Sequence, residues 1–472
     1  LSTLLKRASA LSWASPSQDE TVDVRLTNGR ISEIGPSLER RAEEAIWDLE
    51  GDRLAPGLHD HHLHLRAICA LESSVIVGPP EVQTPDELRS RLERAQMRLT
   101  PGQWLRGVAY HESVAGLLDR DLLDQLVPHR PARIQHASGS LWMVNSLALE
   151  ALHAEEGTPP GAERDDAGRL TGRFWREDEW LGSRLPRSSH DFTSMSRLAA
   201  SWGITGFTDA TPGQTAADLE GYRDALESRA LLQRLHLMVE PGITPPNSTH
   251  VTLGPSKILL DDMTLPTFDE LAERIERYHA AGQAVAVHCV TRTQGVLTLA
   301  VLEHTGTLEG DRLEHGSVLG DDSLEQVARL GLIVVTQPGF VLTRGDRFLA
   351  NVQHAALPDL YRVRSLQEAG ITVAGSTDAP FGSPDIWSAI EAAVDRTTHE
   401  GALVNAKEAV SPRAAIELFT SEAVNPRRQR RIEVGAPADL CVVARTATGE
   451  GSHTRPVIRG TFVDGRLVHA TP

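Results

Sequence analysis

Pro56-Gly57-Leu58-His59-Asp60-His61-His62-Leu63-His64 places four histidines and one aspartate directly after a turn-forming Pro-Gly pair. Ile46–Leu49 and Leu54, just before it, read as short apolar strand segments, so the histidines fall at the end of a strand. Two histidines two apart in an extended segment point to the same side, so either His59/His61 or His62/His64 could chelate one ion. His62 and His64 are the preferred pair, because they lie farther past the turn, toward the open end of the strand. Surface or packed histidines are the plainer reading of a single His-x-His. Ligand-type groups recurring at later strand ends weigh against it.

Strand-like and helix-like runs alternate through the middle of the chain. Gly203–Asp209, Leu235–Val239, Ser256–Asp261, Ala284–His288, Arg312–His315, Leu332–Gln337 and Ile371–Ser376 read as strands; Thr267–Ala281 and Asp322–Leu330 read as helices. With the strand before His62 the count is eight. Alternating strands and helices predict an α/β fold with a parallel sheet, here a (β/α)8 TIM barrel spanning 56–426. The span from Leu65 to Ser201 is too long for one crossover helix and is expected to hold a helical insertion near 66–200. At the start, Val22–Thr27 and Arg30–Ile34 flank the hairpin signal Asn28-Gly29. At the end, Ala438–Ala444, Val457–Val463 and Arg466–His469 read as strands with Asp464-Gly465 as a turn. Residues 1–55 and 427–472 are therefore expected to build one small β domain, with two unrelated β fragments as the alternative.

The 472 residues carry a formal net charge of −17, which argues against a nucleic-acid partner. No apolar run reaches the ~18 residues of a membrane span, so no membrane partner is expected. Ala8–Ser15, behind Lys6 and Arg7, is short and interrupted by serines, and is not read as a signal peptide. Cys69, Cys289 and Cys441 are too scattered for a disulfide framework or a Cys-rich zinc site and suit a reducing, cytoplasmic setting. The expected partner is a small-molecule substrate; a homo-oligomer is left open.

In a barrel of this kind the C-terminal strand ends carry the chemistry. Here they present His62 and His64, then Lys257, His288, Glu314-His315 and Asp378. Imidazoles and carboxylates are the usual ligands of zinc-like metals. Singly, each has a plainer reading: His288 as a hydrogen-bonded core histidine, His315 beside an Arg312–Glu314 ion pair, Asp378 as a cap before Ala379-Pro380. Together they point to one shared metal site. Lys257 stands out because only three of the 47 basic residues are lysines. A neutral lysine amine can add carbon dioxide to give a carbamate able to bridge two cations, whereas arginine stays protonated. A buried cation paired with Asp261 or Asp262 is the alternative. Six ligand-type groups exceed what one tetrahedral ion needs, so two divalent ions are predicted, with zinc the expected metal.

The Pro56–His64 stretch resembles the Pro-Gly-Phe-x-Asp-x-His-x-His signature of the amidohydrolase superfamily. Val144-Asn145-Ser146-x-Ala148-Leu149 (within Pro131–Leu149), Lys257-Ile258, His288, Arg312-Leu-Glu-His315, Gly375-Ser-Thr-Asp378-Ala-Pro380 and Gly435-Ala-Pro-Ala-Asp439-Leu440 are similar to motifs of its third branch. That branch includes enzymes resembling N-substituted formamide deformylases, and the matches follow its order along nearly the whole chain. The resemblance implies a metal-dependent barrel hydrolase with a flanking β-sandwich. It implies that His62 and His64 bind the first metal, that carbamylated Lys257 bridges, and that His288 and His315 hold the second. Asp378 would bind the first metal and act as base. The implied reaction is hydrolysis of an amide-like C–N bond by a hydroxide held between the metals, with Asp378 passing the proton to the leaving nitrogen.

The chain departs from the branch in three places. The loop after Lys257 is short (Asp261-Asp262-Met263-Thr264), Gly139-Ser140 replaces Gly-His, and Val290-Thr291-Arg292 replaces Gly-Asp-Arg. The branch's substrate contacts are therefore not carried over. Arg292 is kept as the one candidate for substrate binding, and His111, His136, Trp142 and Glu177 read by default as solvated loop residues. A one-metal aminohydrolase (deaminase) on the same barrel is the alternative function. It is disfavoured because Thr291 stands where those enzymes carry an acidic residue and because they lack the fourth-strand lysine. A non-catalytic member that has lost its metals is opposed by the filled ligand positions.

Overall fold

Parallel strands separated by helices run through the middle of the chain, as the alternation predicts. The computed structural model describes residues 2–13, 21–185, 191–445 and 455–471. Two compact units emerge, Leu1–Leu65 with Asp191–Pro472, and Arg66–His190. Ala8 ends a strand, Ser2–Ala8, while Ala14 and Ser15 of the stretch weighed as a leader lie outside the described residues. Among the described residues no helix is long and apolar enough to cross a membrane.

In the first unit, one parallel sheet has the order Val251–Gly254, Arg234–Met238, Ile204–Asp209, Leu58–Leu63. A second has the order Ser256–Ile258, Val285–Cys289, Arg312–His315, Ile333–Thr336, Thr372–Gly375. The expected single closed ladder is corrected to two sheets. One break falls at Pro255, which has no N–H to offer a ladder. It divides the fourth strand position, whose first half, Val251–Gly254, the sequence reading missed. At the other seam, strand pairing gives way to single bonds. Asp378 N donates to His62 O at 2.9 Å, His64 N donates to Ala379 O at 2.8 Å, and Thr377 N donates to Asp60 Oδ1 at 3.1 Å.

The helices between strands start where the sequence supplies caps. Thr267 and Glu270 form a capping box ahead of Phe268–Ala280, and Thr291 and Gln294 do the same ahead of Arg292–Thr305. Leu271, Ala272, Ile275 and Tyr278, spaced for one helical face, are the buried residues of Phe268–Ala280.

Both termini contribute four-stranded sheets. One has the order Arg30–Gly35, Val22–Thr27, Ser2–Ala8, Ala45–Asp48; the other has Arg466–Ala470, Ile458–Val463, Leu440–Val443, Arg53–Pro56. Leu5, Val24, Leu26, Leu54, Leu440, Val442 and Phe462 share one apolar cluster. Asn28 and Gly29 (φ 49° and 77°) and Asp464 and Gly465 (φ 54° and 70°) make the two hairpin turns. These turns touch: a Cβ on Gly29 would lie 2.2 Å from Asp464 Oδ1, so glycine is required there for space as well as for its φ.

The Arg66–His190 unit corrects the expectation of a helical insertion. It holds a six-stranded sheet in the order Ala162–Arg164, Leu170–Trp175, Leu141–Val144, Ala132–His136, Leu105–Tyr110, Val75–Ile76. These strands are short, and arginines and glutamine on one face hide their apolar alternation. Trp142 is buried on a strand rather than solvated in a loop. Asn145 organises this unit. It is fully buried; its Oδ1 accepts from Ala132 N and Ala148 N, and its Nδ2 donates to Val127 O and Arg130 O. Asn145→Ala strands two buried donors and two acceptors, each costing about 1–3 kcal/mol when unmade. It is expected to lower stability by at least ~4 kcal/mol. A urea midpoint equal to wild type, with unchanged hydrogen exchange at Ala132 and Ala148, would reject this role.

Candidate active site

The Leu58–Leu63 strand is buried along its whole length, and its end delivers His62. The His62 ring is fixed from behind: Nδ1 meets the Glu314 carboxylate, whose other oxygen takes the Arg312 guanidinium. All three side chains are almost wholly buried. A carboxylate only accepts, so the proton sits on Nδ1 and the Nε2 lone pair is free. That Nε2 lies 3.5 Å from Asp378 Oδ1. His64 reaches the same oxygen at 3.3 Å through Nε2, while its Nδ1 meets Thr211 Oγ1 at 3.2 Å. His315 donates from Nδ1 to Gln337 Oε1 at 2.9 Å, and Gln337 is anchored in turn on Ser376. Holding the far nitrogen of a ligand histidine with a carboxylate or amide is how metal sites orient their imidazoles.

His62, His64 and Asp378 offer ligand atoms within 4.8 Å of one another, the one such group among the described residues. His315 joins them by ring contact with His62, at 4.8 Å between centroids, and His288 packs on His315 at 4.4 Å. Burial and the Lys257 charge push His288 down to about 4. Burial holds His62 and His315 well below the usual histidine value. Lys257 is buried, and its Nζ has no hydrogen-bond partner. Burial lowers it to about 8, against the pull of the Glu314 and Asp378 charges. Of the alternative partners, Asp262 accepts from Thr291 Oγ1 at 2.9 Å and Asp261 Oδ1 from Met263 N at 2.9 Å, while Lys257 Nζ has no hydrogen bond to either among the described residues. His315 (φ 71°) and Asp378 (φ 53°) both adopt the left-handed conformation, a strain that concentrates at functional sites.

The structure does not bring the remaining candidates here. His59 bonds Thr208 at 2.8 Å and His61 bonds Ser421 at 2.9 Å, so the rival histidine pair is engaged elsewhere. Arg292, expected to meet substrate, lies outside this cluster, pairs with Asp359 and has a side chain 54% exposed. Sequence reasoning noticed Glu314 only as a partner of Arg312. Its bond to His62 was missed, as were the supports from Gln337 and Thr211. The available signal was position, since all three sit at or just past a strand end.

Within this cluster three buried polar atoms have no hydrogen-bond partner: His62 Nε2, Asp378 Oδ1 and Lys257 Nζ. An imidazole lone pair and a carboxylate oxygen facing each other repel unless a cation lies between them, so this donor set fits a divalent metal.

The amidohydrolase family model matches residues 45–469, and the chain belongs to that family. It is a hydrolase acting on carbon–nitrogen bonds. It is 27% identical to the N-substituted formamide deformylase of Arthrobacter pascens, over 94% of each chain. It is 25% identical to the putative amidohydrolase YtcJ of Bacillus subtilis (strain 168), over 96% of each. An uncharacterized metal-dependent hydrolase from Pyrococcus furiosus superposes with a TM-score of 0.75 at 21% identity, covering 93% of this chain and 98% of that one. This likeness shows a shared α/β fold of TIM-barrel type.

In protein treated with EDTA, His62 and His315 are expected to be neutral Nδ1–H tautomers at pH 6, and His288 to protonate only near pH 4. Unfolded histidines protonate near ~6.5, so these sites favour the folded state above that pH. Stability is lost as pH falls from about 6.5 toward 4. Long-range 15N–1H spectra check this; a His288 titrating above pH 6 would contradict it.

Proposed function

We propose that this enzyme hydrolyses an amide-like C–N bond of a small molecule, and that His62, His64, His288, His315, Asp378 and a carbamate on Lys257 would hold the divalent metal it uses. The observation that carries this reading is the set of buried, unpartnered atoms that converge at Asp378 and Lys257. When bound, two ions, zinc in our reading, polarise a substrate carbonyl and make water acidic enough to react near neutral pH. Asp378 accepts the proton from the attacking water and returns it to the leaving nitrogen. Its backbone N–H bond to His62 O and its left-handed φ aim the carboxylate at both strand-end histidines. Arg292, exposed and paired with Asp359, is proposed as a substrate contact outside the metal cluster.

Carbamate formation joins the Lys257 amine nitrogen to the carbon of carbon dioxide and releases one proton. The depressed basicity of Lys257 raises the share of neutral amine, the reactive form. A second reading, a one-metal aminohydrolase, is favoured by a single observation: only His62, His64 and Asp378 close within 4.8 Å. The number of ions bound separates the two. We also read residues 1–55 with 427–472 as one β-sandwich beside a 56–426 barrel. The shared apolar cluster and the touching turns support this. The buried, free thiols of Cys289 and Cys441 suit a cytoplasmic setting.

Asp378→Asn is expected to lower kcat by 10²–10⁴-fold while leaving circular dichroism unchanged, since an amide cannot take the proton. Retention of more than ~10% of wild-type kcat would remove Asp378 as the base.

Lys257 separates the carbamate from a structural cation. Lys257→Ala should lose metal, measured by elemental analysis, and most activity, with both partly restored by millimolar acetate or propionate. Lys257→Arg should fail, because it keeps the charge and cannot react with carbon dioxide. An active Lys257→Arg enzyme would reject the carbamate.

A further inference from the structure

The six-stranded sheet of the Arg66–His190 unit carries two arginines that the histidine–carboxylate cluster does not use. Arg106 and Arg133 are register partners on adjacent parallel strands, so their side chains leave the same face. Both guanidiniums lie against the Trp142 ring on the next strand, 5.6 and 5.2 Å from its centroid. Both Nε atoms are buried without a hydrogen-bond partner. Arg106 donates from Nη1 to Ser74 Oγ at 2.8 Å. Among the described residues neither arginine forms an ion pair. Asp178 instead accepts from Trp142 Nε1 at 2.7 Å.

Buried arginines elsewhere in the chain have acceptors. Arg25 pairs with Glu33 and Glu44, and Arg312 pairs with Glu314. Arg396, without an ion pair among the described residues, donates to the carbonyls of Val404, Tyr361 and Leu360. Like charges side by side repel, and each loses hydration on burial. Burial and the Arg106 charge pull Arg133 down to about 10, which leaves it charged at neutral pH. The Trp142 face offsets part of this by cation–π attraction, but it supplies no acceptor for the N–H groups. Ser74 only braces Arg106, since its hydroxyl donates to Ala70 O. Two adjacent planar guanidiniums are a donor set that matches the oxygens of an oxyanion.

We propose that Arg106 and Arg133, backed by Trp142 and with Arg106 braced by Ser74, form a binding site for a small oxyanion, a carboxylate or a phosphate. None of its residues belongs to the candidate active site, so the inference stands independently of the proposed reaction.

The test is calorimetric titration of inorganic phosphate and, separately, of acetate into the full-length enzyme at constant ionic strength, repeated with R133M and R133K. Any anion bound at the metal cluster is common to all three proteins, so the part removed by R133M isolates this site. We expect saturable binding that weakens at least tenfold in R133M and falls in R133K, which keeps the charge but loses the fork. Phosphate alone assigns a phosphoryl ligand and acetate alone a carboxylate; either supports the site. No saturable binding in wild type, or equal binding by R133M, overturns it. Should R133M be unfolded by circular dichroism, the wild type answers by peptide mapping after phenylglyoxal treatment. Phosphate should then protect Arg106 and Arg133 but not the exposed Arg98, and equal labelling with and without phosphate overturns the site.

Discussion

Glu314 sits wholly buried between the Arg312 guanidinium and the His62 imidazole, and the geometry of the candidate site depends on that three-membered chain. A carboxylate this deep would be untenable alone. Between a fixed cation and a ring N–H it is satisfied, and removing one member of such a buried pair costs roughly 3–5 kcal/mol. The same chain has a second effect. Arg312 also donates to His61 O at 3.3 Å. Its strand belongs to one parallel sheet and Leu58–Leu63 to the other, so the clamp joins two sheets that no continuous ladder joins. One interaction therefore closes the fold locally and sets which nitrogen of His62 carries its proton.

The seam beside it does similar duty for Asp378. Asp60 takes both the Thr377 N–H and its hydroxyl, and Asp378 N is bonded to His62 O. With its backbone held from two sides, Asp378 can keep a left-handed conformation that a non-glycine residue otherwise avoids. His315 shows the same arrangement, turned by a left-handed backbone and fixed through Gln337. His315 is the last residue of its parallel strand and Asp378 lies just past the end of another, where ladder bonds give way.

Strand order and the strand-end histidines were legible because each strand is a short apolar run with a polar group at its end. Arg312–His315 was placed to the residue. Hidden were the features that depend on contacts distant in sequence. The Glu314–His62 bond spans 252 residues, and no local pattern distinguishes it from the neighbouring Arg312–Glu314 pair. The break at Pro255 was readable in principle, since proline cannot serve a central strand, yet the strand piece before it, Val-Thr-Leu-Gly, was too short to register. The insertion was misread because its strands are edged with arginine and glutamine. Arg292 stood in the right motif position, but Asp359, 67 residues on, captures it.

The touching turns at Gly29 and Asp464 have a consequence in time. Arg30 reaches Gly435 O, 405 residues downstream, and Leu54 pairs with Val442. During synthesis at ~5–20 residues per second, the Arg53–Pro56 strand leaves the ribosome roughly 20–80 s before its partner exists. For that interval an apolar strand edge has nothing to pair with, a condition that favours wrong partners. The Ser2–Ala8, Val22–Thr27 and Arg30–Gly35 strands can form their own antiparallel sheet meanwhile. The early hairpin thus acts as a waiting platform, and the Leu440–Val443 strand completes a structure begun much earlier in the sequence.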